Sequence, residues 1–210
     1  MTIGQIVILV VGVLIAFGVC QRVLDRMRLN DRQAIVTALF LFVGGFLPNL
    51  AFGNVKINLG GAVVPFLVSA YLLIKADTGY ERVRAIAASL SVAAAVLALG
   101  RFFPDEPDVM PFDINYLYGL AAGALACLFG RSRRAAFIAG ALGVLIADIA
   151  EGVSVRLLGV SQTLILGGAG AMDIIVISAV TAVLVRELVG EFSERCVRGA
   201  KTAEAGGKGR

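Results

Sequence analysis

The sequence predicts an all-α membrane protein with seven transmembrane helices, and three observations lead there. Hydrophobic residues make up 59% of the chain and charged residues only 16%, where a soluble domain carries about 25% charge. Mean hydropathy is +0.89. The apolar residues gather into runs near the length that crosses a bilayer, about 20 residues with a range of roughly 17–25. The basic residues sort to alternate connections: 16 of the 19 lysines and arginines lie in loops one, three and five and after the last run.

The runs follow in order. Ile3–Cys20 has no basic leader and no small-residue cleavage site, so it reads as a retained span rather than a signal peptide. Ala34–Phe52 is the second. Gly60–Ile74 is short and needs Leu59 or Lys75 at the boundary, or local thinning of the bilayer. Val83–Phe103 is the fourth. Ile114–Phe129 carries Gly119 and Gly123, which read as close helix packing. Ala135–Ala150 and Gly167–Val185 complete the set. Residues 1–190 then form one transmembrane domain and residues 191–210 a cytoplasmic polar tail, expected to be disordered after Glu194. By the positive-inside rule the N-terminus lies outside and the C-terminus in the cytoplasm of a plasma (inner) membrane. The net charge of +4 is this orientation signal and no nucleic-acid patch. The expected partner surface is membrane lipid.

Leu59-Gly60-Gly61-Ala62 recurs as Leu166-Gly167-Gly168-Ala169, 107 residues on, and Gly12 and Cys20 match Gly119 and Cys127 at the same offset. This suggests a 3+1+3 parallel repeat, with halves at about 3–75 and 114–186 and span 83–103 as connector. Each Gly-Gly follows a β-like segment. Asn54–Leu59 alternates polar and apolar residues. Ser154–Leu158 and Ser161–Leu166 read as a hairpin around Gly159. Both are expected on the outer side, pairing with each other because open strand edges cannot face lipid.

The chain contains no histidine, which removes the usual general base and the commonest metal ligand. Zinc chemistry and Ser-His catalysis are not expected, nor is any cofactor. The three cysteines, Cys20, Cys127 and Cys196, show neither metal-ligand spacing nor a disulfide framework. Asp105, Glu106 and Asp108 in loop four could take a divalent cation, but read more simply as a solvated acidic loop. Lys75, Asp77 and Glu81 read as a solvated cytoplasmic turn.

The chemistry-bearing residues are Asp148, in IAGALGVLIADIA, and Asp173, in LGGAGAMDIIVISAVTAVLV. A carboxylate inside apolar sequence is costly and is a functional candidate by default. Counting from the span ends at 1.5 Å per residue puts Asp148 roughly 3–5 Å and Asp173 roughly 8–9 Å below the outer surface. A short connection makes their helices neighbours, and Glu151 supports Asp148 from one turn on. Two close carboxylates share a proton, the arrangement that activates water against a peptide carbonyl. Three readings stay open: a catalytic pair acting on a membrane-embedded peptide, a proton- or cation-coupled path for a small solute, and a structural role in which Asp173 sits at the positive end of a helix dipole. At the repeat offset Asp173 falls on Phe66, and Asp148 falls near Phe46–Pro48, so the site belongs to one half.

The segment Leu142–Ile174 weakly resembles the presenilin and signal-peptide-peptidase type of intramembrane aspartyl protease. One aspartate precedes a strand-forming connection, and a second follows the glycine-rich Gly168-Ala169-Gly170-Ala171-Met172-Asp173. That resemblance implies Asp148 and Asp173 as a catalytic acid and base. YLLIKADTGYERV (Tyr71–Val83) together with LIADIAEG and GGAGAMDI resembles an uncharacterised family of bacterial and archaeal multi-pass membrane proteins. That likeness implies no activity and no assigned site.

Overall fold

The computed structural model describes residues 2–27, 29–102, 114–130, 132–159 and 163–207. Among these the chain is mostly helical, with three short strands. In order it forms α1 (Ile3–Ala16), α2 (Gln21–Met27), α3 (Asp31–Gly44), β1 (Leu50–Phe52) and β2 (Val55–Ile57). A π-helical turn (Leu59–Val63) then leads into α4 (Val64–Ile74), followed by α5 (Gly79–Phe102), α6 (Ile114–Phe129), α7 (Arg133–Leu157), β3 (Leu164–Leu166) and α8 (Ala169–Gly207). α5 and α7 are long and apolar enough to cross a membrane, and α1 with α2 would make a third as one broken span. α1 and α3 have 14 residues each, about 21 Å at the helical rise, against a hydrocarbon core of about 30 Å.

Local chemistry explains the helix limits. Thr2 caps α1: its hydroxyl accepts from the Gln5 amide, and the Gln5 side chain accepts from the Thr2 amide, a reciprocal capping box. Gly18, at φ +76°, follows the end of α1, and the chain turns through 97° into α2. The left-handed conformation there suits glycine. Ser132 caps α7 by accepting from the Ala135 amide. Pro65 sits in the first turn of α4, where its missing N–H costs nothing.

The strands gather at one end of the bundle, here the strand end. β1 and β2 form a hairpin with Leu50 opposite Ile57, and β2 pairs in parallel with β3, Val55 opposite Leu164 and Ile57 opposite Leu166. The expectation that the two Gly-Gly leaders pair with each other is met. The Asn58 amide continues the ladder to the Leu166 carbonyl at 2.9 Å. The Asn58 side chain accepts from the Gly61 amide at 2.8 Å and donates to Asn49 Oδ1 at 2.9 Å. Glycines allow the close approach. A Cβ at Gly60 would lie 2.4 Å from the Gly45 nitrogen, and one at Gly61 would lie 2.1 Å from the Gly167 carbonyl oxygen.

α5, α6, α7 and α8 form the main core through small residues, among them Ala88, Ala122, Ala126, Ala136, Ala139 and Ala182. The expected role of Gly119 and Gly123 is seen: a Cβ at Gly119 would meet Ile177, and one at Gly123 would meet Thr181. Where lipid replaces water, such close backbone contact supplies the packing energy between helices. A second cluster joins Ile15, Leu24, Met27, Leu72, Ala135 and Ile138 at the opposite end, here the arginine end.

Four local expectations need correction. Ser154–Leu158 is not half of a hairpin. α7 runs on to Leu157 before Gly159 turns at φ +81°, because five residues of mixed polarity fit a helical period as well as a strand period. The partner segment begins with residues outside those described, and only Leu164–Leu166 is a strand. The second run ends at Gly44, and its last residues, Leu50–Phe52, form β1, since Pro48 cannot donate within a helix. The segment after Glu194, expected to be disordered, continues α8 to Gly207.

The crossing predicts opposite signs for two like substitutions. Gly61→Ala destabilises by about 1–3 kcal/mol or more, as overpacking does. Gly100→Ala, which meets nothing within 4 Å among the described residues, stabilises by about 0.5–1 kcal/mol through helix propensity. Denaturant titration of the detergent-solubilised chain measures both.

Candidate functional site

Asp173 sits in the second turn of α8 and is only 5% exposed. Its Oδ1 accepts from the Gly4 amide at 3.1 Å. Gly4 is the second residue of α1, and the first N–H groups of a helix have no partner within it. The carboxylate therefore stands at the positive end of α1, which favours negative charge. The fit depends on glycine, because a Cβ at Gly4 would lie 2.5 Å from Asp173 Oδ1. Gln5 and Met172, the chain neighbours of Gly4 and Asp173, are both buried, and a Cβ at Gly45 would meet both.

Asp148 is half-buried on α7. Its Oδ2 accepts from the Gly167 amide at 2.8 Å, where Gly167 adopts φ +65° between β3 and α8. Asp148 thus holds the turn that starts α8, and Asp173 ties the start of α8 to α1. The two act on one segment of chain through different backbone donors, Gly167 and Gly4. α7 continues nine residues past Asp148 to Leu157, about 13 Å at the helical rise, so Asp148 lies deeper from its helix end than the sequence suggested. Glu151, one turn on, is exposed.

The arginine end holds a second polar cluster that sequence reasoning missed. Arg134, the second residue of α7, is 7% exposed. It donates from Nη1 to the Lys75 carbonyl at 2.8 Å and from Nη2 to Asp77 Oδ2 at 2.9 Å, with Glu81 Oε2 at 3.7 Å. The Ser132 hydroxyl donates to Glu81 Oε1 at 3.0 Å. Arg133 pairs with Glu187 of α8. Arg82 donates to the Ile74 and Ala76 carbonyls, and Arg84 to the Phe129 carbonyl. Arg82, Arg84 and Arg134 serve carbonyls at or just past helix C-termini, where cations are favoured.

The α4–α5 turn expected to be solvated is therefore knitted to the start of α7. A cation at a helix N-terminus opposes the dipole, so the acids of that turn hold Arg134 in place. The available signal was the match in charge between KADTGYE and RSRR. Charge alone did not say that the two segments meet. Among the described residues Asp173 and Arg134 are the only buried side chains of the Asp, Glu, Lys and Arg kind, one at each end of the bundle. No group of three His, Cys, Asp or Glu among the described residues could hold a metal ion, and the acidic loop Asp105, Glu106 and Asp108 lies outside them.

A family model described as a protein of unknown function, DUF1614, matches residues 24–185. The chain belongs to this family. The matched stretch contains Asp77, Glu81, Arg134, Asp148 and Asp173, whereas α1 with Gly4 precedes it. No curated protein and no solved structure matches the chain. Family membership and the apolar helices are consistent with a membrane protein of unknown activity.

The arginine cluster makes an asymmetric prediction. Removing both acids, Asp77→Ala with Glu81→Ala, leaves a buried charge uncompensated and costs about 3–5 kcal/mol. Arg134→Leu removes that charge and leaves acids that are 45% and 21% exposed, so it costs less. Denaturant titration of the variants ranks them.

Proposed function

We propose that this family member is a seven-span transporter of the plasma (inner) membrane, in which Asp148 and Asp173 couple movement of a small solute to a proton or cation. The strand end faces outward and the arginine end faces the cytoplasm. The distribution of lysine and arginine supports this orientation, and the seven apolar runs fall on α1, α3, α4, α5, α6, α7 and α8. The repeat of strand, Gly-Gly and helix before α4 and α8, with β2 and β3 parallel, supports an internal duplication of the 3+1+3 kind. Membrane lipid surrounds the apolar faces.

The observation that carries the reading is the bond from the Gly4 amide to buried Asp173. A hydrogen bond to an ionised acceptor is roughly twice as strong as a neutral one. Protonation of Asp173, or a cation taken up beside it, therefore weakens the tie between α1 and α8. The same holds for Asp148 and the turn at Gly167. Interrupted helices support the same reading, because transporters place their ion and solute sites where helices break. Here α1 bends by 97° into α2, and α4 begins in a π-helical turn. An aspartyl protease needs its two carboxylates to share a proton across one water. A separate backbone donor for each favours ion-linked transport instead.

Asparagine keeps an acceptor for the Gly4 and Gly167 amides and removes the charge. In proteoliposomes containing a pH-sensitive dye, proton flux under an imposed gradient falls by roughly tenfold or more in Asp173→Asn and in Asp148→Asn, as loss of an ionisable group on a membrane path predicts. Wild-type flux in both variants, or no flux above protein-free vesicles in the wild type, overturns the reading.

A further inference from the structure

We infer that α2 is a movable gate at the arginine end, hinged at Gly18. α2 lies across the end of the bundle after the 97° break. Its polar residues face outward, while Leu24 and Met27, 7% and 4% exposed, enter the buried cluster that contains Leu72, Ala135 and Ile138. Two apolar side chains thus plug the end of the bundle where α4 and α7 meet. This assigns a regulatory element to the proposed transporter and rests on that reading for its purpose, but not for its motion.

Three features suit α2 to move. The hinge residue holds a left-handed conformation, φ +76°, that other residues reach only under strain. The polar ties of its first turn are exposed. Arg22 reaches Glu191 at 3.7 Å with side chains 76% and 41% exposed, and Gln21 reaches Asp31 at 3.3 Å. Pairs of this kind hold weakly. Beside the hinge lies a half-open groove of about 370 Å³, lined by Gly18 and Val19, by the first turn of α2, and by Glu187 and Glu191 of α8. The space between the hinge and α8 is room into which the start of α2 can swing. The wall opposite is fixed, because Glu187 is paired with Arg133 of α7. Ala135, which shares a cluster with Leu24 and Met27, directly follows Arg134, whose ion pairs with Asp77 and Glu81 hold the neighbouring start of α7.

The test uses the full chain with Cys20→Ser, Cys127→Ser and Cys196→Ser, solubilised in detergent. Met27→Cys is the reporter and Met172→Cys, 3% exposed at the strand end, the control. The readout is the rate of alkylation by a water-soluble maleimide. Gly18→Ala strains the closed position and raises the Met27→Cys rate about fivefold or more. Arg22→Gln raises it about twofold by releasing one exposed tie. The Met172→Cys rate stays unchanged in both. Equal Met27→Cys rates with and without Gly18→Ala, or a parallel rise at Met172→Cys, overturn the gate. A rise confined to Met27→Cys in a chain that carries no proton flux keeps the moving α2 and overturns the transport reading.

Discussion

At the strand end, backbone meets backbone with no side chain between, and the rest of the structure depends on that contact. Gly44 and Gly45 at the end of α3 lie against Gly60, and Gly61 lies against the Gly167 carbonyl. Three segments far apart in sequence therefore share a space that one extra methyl would overfill. The parallel pairing of β2 with β3 and the Asn58 side chain satisfy the polar groups exposed there. In an apolar setting each unsatisfied group would cost several kcal/mol, so glycine packing and hydrogen bonding form one device. It places Gly167 within reach of Asp148.

The two buried acidic and basic side chains show opposite ways of keeping charge out of water. Asp173 is held by backbone at the positive end of α1, where the dipole favours it. Arg134 sits at a helix start that disfavours it and is held by side chains, Asp77 and Glu81, and by the Lys75 carbonyl. The first arrangement needs a nearby glycine, Gly4, and fixes which helices meet. The second needs acids on a turn, and joins the α4–α5 connection to the start of α7. The ends of the bundle thus answer to different chemistry: charge on a carboxylate at one, and ion pairs beside an apolar cluster at the other.

Much of the helix plan was legible because it is written locally. Ile114–Phe129 was read from its apolar run alone and is α6. Gly60–Ile74 and Val83–Phe103 fall within a few residues of their helices. The places that misled are those where short segments fit two periods. Ser154–Leu158 stayed helical because the preceding turns of α7 already supplied the hydrogen bonds, and extending a formed helix is easier than starting a strand. Leu50–Phe52 became a strand because Pro48 ended the helix and β2 offered a partner. The site was half legible. An aspartate in apolar sequence is visible without a structure, whereas its donor is not.

By itself, then, the sequence determined the helical, apolar character of the chain, the positions of most helices, the two Gly-Gly leaders and the two unusual aspartates. All of these follow from composition and period within a window of some twenty residues. Only the tertiary structure decided that Asp173 meets Gly4, 169 residues away, that Asp148 meets Gly167, and that Arg134 is buried against Asp77, 57 residues away. Those contacts depend on how closely backbones approach at glycines and on a 97° turn at Gly18. Approach distance is a property of packed surfaces and has no period in the chain.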